Sequence, residues 1–142
     1  MYQIEVRINF RAGHRLLPPY KGKCTNVHGE YFGAIFVLEK VTLDENGMLI
    51  DFGVVKDKLK NWIDEYLDHA YIYNKNDEVG IYLNKKGFKT YCIGKRNPTA
   101  ENLAEWLYHV SKNLLKLPVI KVGVIESTET NTAWYCFGWY IQ

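Results

Sequence analysis

No stretch of the sequence approaches the roughly 18 consecutive apolar residues that a membrane-spanning helix requires. The first ten residues, "MYQIEVRINF", lack the apolar block of a secretory leader, so a cytoplasmic location is the expectation. Cysteine is scarce: Cys24, Cys92 and Cys136 are odd in number and lack C-x-x-C spacing. That excludes a complete disulfide framework and a cysteine-based zinc knuckle, and leaves at least one free thiol. Cys92 in "TYCIG" and Cys136 in "WYCFGW" read as small buried hydrophobes, whereas Cys24 in "KGKCTN" has polar flanks. An excess of either charge is also missing. With 18 basic and 16 acidic residues the formal net charge is +2, which marks neither a nucleic-acid binder nor a membrane-surface binder. Internal repeats, low-complexity tracts and linkers are lacking too, so the 142 residues read as one domain, 1–142.

What is present begins with a strict alternation. Ile4, Val6, Ile8, Phe10, Ala12 and His14 share one parity, while Gln3, Glu5, Arg7, Asn9 and Arg11 hold the other, the pattern of a half-buried strand. After a loop holding Pro18, Pro19, Gly22 and Cys24, a second strand places His28, Glu30, Phe32, Ala34, Phe36 and Leu38 on one face. Asn46-Gly47 predicts a tight turn, with "MLIDF" returning as a third strand. The period then becomes helical: Val55, Leu59, Trp62, Ile63, Tyr66 and Leu67 predict an amphipathic helix over 53–67. In 68–97 a short helix and a strand are preferred to a hairpin at Lys86-Gly87. Pro98 is expected in the first turn of a second long helix capped by Asn97 or Thr99, with Leu103, Leu107, Val110 and Leu114 as its buried stripe. "PVIKVGVIES" and "TAWYCFGWYIQ" are the last two strands. This order predicts an α+β domain, an antiparallel sheet with helices on one face.

The first two strands carry chemistry as well as core. His14 ends the inward face of one, and His28 and Glu30, two apart on the other, point the same way because side chains alternate. Two imidazoles and a carboxylate with an open fourth position is the donor set of a catalytic zinc site rather than a structural one. The plainer reading of any one such histidine is a hydrogen-bonded structural residue.

Six motifs in order resemble the 6-pyruvoyltetrahydropterin synthase and 6-carboxytetrahydropterin synthase family. They are Phe10-Arg11-Ala12-Gly13-His14, Cys24-Thr25-Asn26-Val27-His28-Gly29, "MLIDF", Leu67-Asp68-His69, "NPTAEN" and "ETNTAWY". The resemblance implies a tunnelling fold (T-fold), a four-stranded antiparallel sheet with two helices on one face in the order ββααββ. It implies a lyase acting on 7,8-dihydroneopterin triphosphate with one Zn2+ per chain on His14, His28 and Glu30. Catalysis would rest on Cys24 as base and on Asp68 with His69 as acid and base. Glu129, or Glu126 if the register shifts, would anchor the pterin, with Thr99 adding contacts. The 6-carboxy reaction, on a path to 7-deazaguanine nucleosides, is the first expectation and the 6-pyruvoyl reaction the second. The rival from another class is a non-catalytic pterin- or purine-binding module. The family usually carries His-Gly-His where this chain has His28-Gly29-Glu30, a harder ligand set open to other divalent metals. The partners implied are a small pterin triphosphate and five further copies of the chain in a homohexamer, with no nucleic acid and no membrane.

Overall fold

The computed structural model describes residues 1–126 and 131–138. Its backbone is a long hairpin extended on both sides. Strand β1 (Tyr2–His14) pairs antiparallel with β2 (His28–Lys40) over an unbroken ladder from Tyr2↔Lys40 to His14↔His28. The predicted alternation is realised in the burial: Val6, Ile8, Phe10, Ala12 and His14 are buried, and Phe32, Ala34, Phe36 and Leu38 meet them from β2. Phe10 and Phe32 stack with ring centroids 5.2 Å apart. Burying each such large side chain contributes about 1.5–3 kcal/mol, so this face drives the collapse.

The sheet differs from the expectation in size and in direction. Short strands β3 (Tyr71–Tyr73) and β4 (Thr90–Cys92) add in parallel beside β1, and β5 (Val119–Glu126) and β6 (Thr132–Cys136) add antiparallel beside β2. The result is a mixed six-stranded sheet in the order β4-β3-β1-β2-β5-β6, where four antiparallel strands were expected. Strand β3 escapes pattern reading because all three of its residues are buried, leaving no alternation to detect.

Helix α1 (Phe52–Tyr66) lies against β1, as its apolar stripe requires. "MLIDF" is not a strand. Asp44 closes a turn by accepting from the Asn46 and Met48 amides, and the Asp51 side chain caps α1 by accepting from Gly53 N at 2.7 Å. Both flanks of β2 are already paired, by β1 and β5, so a strand returning after the turn cannot pair with β2. In the segment that was harder to read, a short helix α2 (Glu78–Lys85) precedes β4, as preferred.

Helix α3 (Ala100–His109) packs on β5 and β6. Thr99 is its cap, accepting from Asn102 N at 3.1 Å, which leaves Pro98 just before the helix rather than in its first turn. We expect Thr99→Ala to cost about 1 kcal/mol of unfolding free energy. Urea denaturation checks this, and an unchanged midpoint would mean that the hydroxyl adds nothing to the helix. Residues Val110–Leu114 continue as a π-turn, which shifts the side-chain register. Leu103 and Leu107 are buried as expected, but Leu114 is swung out to 63% exposure. Cys92 is exposed and Cys136 half-buried, against the reading of both as buried hydrophobes. Among the described residues no helix is long and apolar enough to cross a membrane.

Candidate metal centre

The hairpin register brings His14 and His28 directly opposite one another, with ring centroids 4.6 Å apart. Each ring is oriented from its far side. His14 Nδ1 lies 2.8 Å from the Pro98 carbonyl, and His28 Nδ1 lies 2.8 Å from the Asn26 carbonyl. A carbonyl oxygen only accepts, so each Nδ1 carries the proton, and in the neutral ring each Nε2 presents a lone pair. Both Nε2 atoms are buried without a hydrogen-bond partner, as is Glu30 Oε2.

Carboxylates face these lone pairs. Glu30 Oε1 is 3.2 Å from His28 Nε2 and 4.0 Å from His14 Nε2. A fourth group arrives from β5, where Glu126 pairs with Phe32 on the same sheet face and sets Oε1 3.1 Å from His14 Nε2. One ligand atom from each of His14, His28, Glu30 and Glu126 lies within 4.8 Å of all the others. Acceptors packed together without donors repel unless a cation lies among them, either a divalent metal or protons on the imidazoles. Where the cation is a proton on each imidazole, the hydrogen bond from His14 first, then the charges of His14 and His28, hold the Glu126 carboxyl below its ordinary range against the opposing effect of burial. The donor set, two oriented imidazoles and two carboxylates, suits a divalent ion.

A family profile described as 6-pyruvoyl tetrahydropterin synthase matches residues 3–138. The chain belongs to this family. Within it, the chain is similar to a 6-carboxy-5,6,7,8-tetrahydropterin synthase of Rickettsia bellii. The two are 41% identical over 100 residues, covering 69% of this chain and 71% of the relative. The enzyme of the same name from Aquifex aeolicus is 31% identical over 159 residues, covering 94% and 97% of the two chains. The fold is that of the solved Caenorhabditis elegans 6-pyruvoyl tetrahydropterin synthase, at a TM-score of 0.71 and 22% identity, covering 96% of each chain.

Of the other motif residues, His69 shares a cleft with Glu30. Asp68 and His69 follow α1, with His69 at φ 64°, outside the helix, so that adjacent residues can meet: His69 Nδ1 is 2.8 Å from Asp68 Oδ2. Asp68 is anchored by the Arg11 amide at 2.9 Å. Partial burial raises its pKa, but the Arg11 amide, His69 and Lys89 outweigh that and hold the carboxyl below its ordinary range. His69 is largely exposed and lines a cleft of about 380 Å³ that Glu30 and Arg11 also line. Cys24 sits in a short 3-10 turn (Lys23–Thr25) and is half-buried. No hydrogen bond or ion pair joins it to Asp68 or His69 among the described residues. Thr99 is spent largely on its cap, next to the Pro98 carbonyl that orients His14. Glu129 lies outside the described residues, so its expected role as anchor is untouched.

Three features were not anticipated by sequence reading. Glu126 was named only as an alternative anchor. Its parity with Val122 and Val124 placed it on the buried face, but the pairing of β5 with β2 is not local information. The buried Asp77 accepts from Tyr71 Oη at 2.7 Å, Arg15 Nε at 2.9 Å and Val79 N at 3.0 Å. Arg15 Nη1 also reaches the Thr25 carbonyl at 3.4 Å, tying the Cys24 turn to the start of α2. The Tyr20 hydroxyl lies beside Cys24; the Cys24 side chain first, then burial, raises its pKa, and the charge of Glu126 adds to the shift.

Proposed function

We propose that the protein is a metal-dependent lyase that takes 7,8-dihydroneopterin triphosphate and water to 6-carboxy-5,6,7,8-tetrahydropterin, releasing triphosphate and the two terminal side-chain carbons as acetaldehyde. The observation that carries the reading is the acceptor-only cluster of His14, His28 and Glu30 at the end of the β1–β2 ladder. The names of the Rickettsia and Aquifex relatives favour the 6-carboxy product over the 6-pyruvoyl one.

His14, His28 and Glu30 would hold one divalent ion, with Zn2+ as the first assignment. When bound, the ion supplies Lewis acidity at the hydroxyls of the substrate side chain. Cys24 takes the proton from the activated carbon. The Asp68–His69 pair returns a proton: Nδ1–H donates to Asp68, which leaves Nε2 free to exchange a proton at the cleft. The donor edge of the pterin ring needs a carboxylate acceptor. Glu126, which lines a second cleft of about 380 Å³ beside Ala100 at the start of α3, is one candidate for that role once substrate is bound. Glu129 is the other candidate, and Thr99 adds a hydroxyl near the same helix start.

Incubation of the purified protein with dihydroneopterin triphosphate, with products identified by mass, tests the reading. The expected product is the 6-carboxy pterin. A 6-pyruvoyl product would move the assignment within the family, and an unchanged substrate would reject the enzyme.

We also propose that the chain assembles as a homohexamer, a dimer of trimers. The sheet face away from the helices exposes Tyr31 and Trp134, and β6 ends the described sheet without a strand beyond it. Light scattering should give a mass near six times 16.6 kDa. A mass equal to that of one chain would reject the assembly.

A further inference from the structure

We infer that Glu126 is a fourth protein ligand of the substrate-free metal centre. Its two-imidazole, two-carboxylate set accepts hard, six-coordinate divalent cations of the Mn2+ and Fe2+ class far more readily than three imidazoles would. The inference rests on the metal-centre reading above and extends it to ligand number and metal class.

Three observations carry it. The first is distance. Two ligands about 2.0–2.2 Å from a shared ion lie about 3.0–3.5 Å apart when their bonds are near perpendicular or tetrahedral. The pairs His14 Nε2–Glu126 Oε1 at 3.1 Å and His28 Nε2–Glu30 Oε1 at 3.2 Å meet that requirement in the same cluster. Glu126 is therefore as well placed toward His14 as Glu30 is toward His28. The second is tautomer. His14 is 1% exposed, its Nδ1 proton is committed to the Pro98 carbonyl, and its Nε2 has no donor to meet. With Nδ1 turned to that carbonyl, Nε2 points at the Glu126 oxygen with no hydrogen-bond partner of its own, the arrangement of two donor atoms around a shared cation.

The third is the inequality of the separations. A tetrahedral ion wants all six ligand-to-ligand edges nearly equal, whereas here they run from 3.1 Å, through 4.0 Å for His14 Nε2–Glu30 Oε1, to at most 4.8 Å. An octahedral ion has short edges between adjacent ligands and long ones across the centre, and leaves positions for further ligands. Charge points the same way. Two carboxylates neutralise a divalent ion, and oxygen donors suit Mn2+, while two histidines with a carboxylate suit Fe2+; three neutral imidazoles leave the full charge and favour zinc. The general affinity order still ranks Zn2+ above Mn2+ at any such site. What Glu30 and Glu126 change is the gap.

Titration calorimetry of the substrate-free full-length chain with Zn2+ and with Mn2+, with water-proton relaxation on the Mn2+ form, tests this. Wild type should bind one Mn2+ per chain. Glu126→Gln, near-isosteric and on a partly exposed side chain, should weaken Mn2+ by about tenfold or more and raise the relaxation enhancement as water takes the vacated position. Glu30→His should widen the Zn2+-to-Mn2+ affinity ratio by about tenfold or more. Thermal melting of both variants establishes that they are folded. Unchanged Mn2+ affinity and relaxation in folded Glu126→Gln would overturn Glu126 as a ligand, and an unchanged ratio in Glu30→His would overturn the metal class. Absence of any divalent binding by wild type would overturn both, together with the metal centre. Normal metal binding without turnover of the pterin would reject the proposed reaction and leave this inference standing.

Discussion

His14→Ala is expected to abolish both metal binding and turnover. The side chain is 1% exposed, supplies Nε2 at 3.1 Å from Glu126 and 4.0 Å from Glu30, and satisfies the Pro98 carbonyl through Nδ1. Loss of a group that merely orients a ligand costs about 10–100-fold in metal affinity, so loss of the ligand itself should exceed the upper figure, about 100-fold. Stability should fall as well. Removing the ring leaves a cavity beside Phe32, whose ring it meets edge-on at 5.4 Å, and leaves the Pro98 carbonyl without a donor; the two together cost about 2–5 kcal/mol. His28→Ala separates the two effects, because its side chain is 27% exposed and its removal disturbs the core less. Elemental analysis of folded His28→Ala should find far less than one metal per chain. A full complement of metal in that variant would remove the imidazoles from the ligand set.

The second large effect is expected at Cys24. Replacement by alanine should lower turnover by about 10²–10⁴-fold, the usual contribution of a general base, while fold and metal content stay unchanged. The structure explains why the fold should survive. The turn is held by backbone bonds that alanine keeps: Leu16 N to Cys24 O at 2.8 Å, Thr25 N to Gly22 O at 3.2 Å and Asn26 N to Lys23 O at 3.2 Å. The Arg15–Asp77 contact supports the same segment from outside. Steady-state rates beside elemental analysis and far-ultraviolet circular dichroism form the check. Near-normal rates would assign the base to another residue, and Tyr20, whose hydroxyl lies beside Cys24, would be the first to examine.

Alternation with period two requires no partner to be legible, because it records which face of a strand meets water. That placed β1 and β2, and it put His14, His28 and Glu30 on the buried face before any pairing was known. Helical spacing marked α1 and the start of α3 for the same reason, and the motif order marked the family. Pairing is different, since it joins residues far apart in the chain through hydrogen bonds that no local pattern encodes. Strands β3 and β4, three residues each, gain their order from pairing, β3 with β1 and β4 with β3, rather than from their own composition. "MLIDF" has the composition of a strand, yet the Asp51 cap, with both flanks of β2 already paired, made it the entry to a helix. The same holds within the centre. The sequence determined two imidazoles and one carboxylate facing inward; the antiparallel docking of β5 on β2 brought Glu126 to His14 and, among the described residues, completed the four-donor cluster. The tautomers too were decided by tertiary structure for His14, because the carbonyl that orients it belongs to Pro98, 84 residues away in the chain.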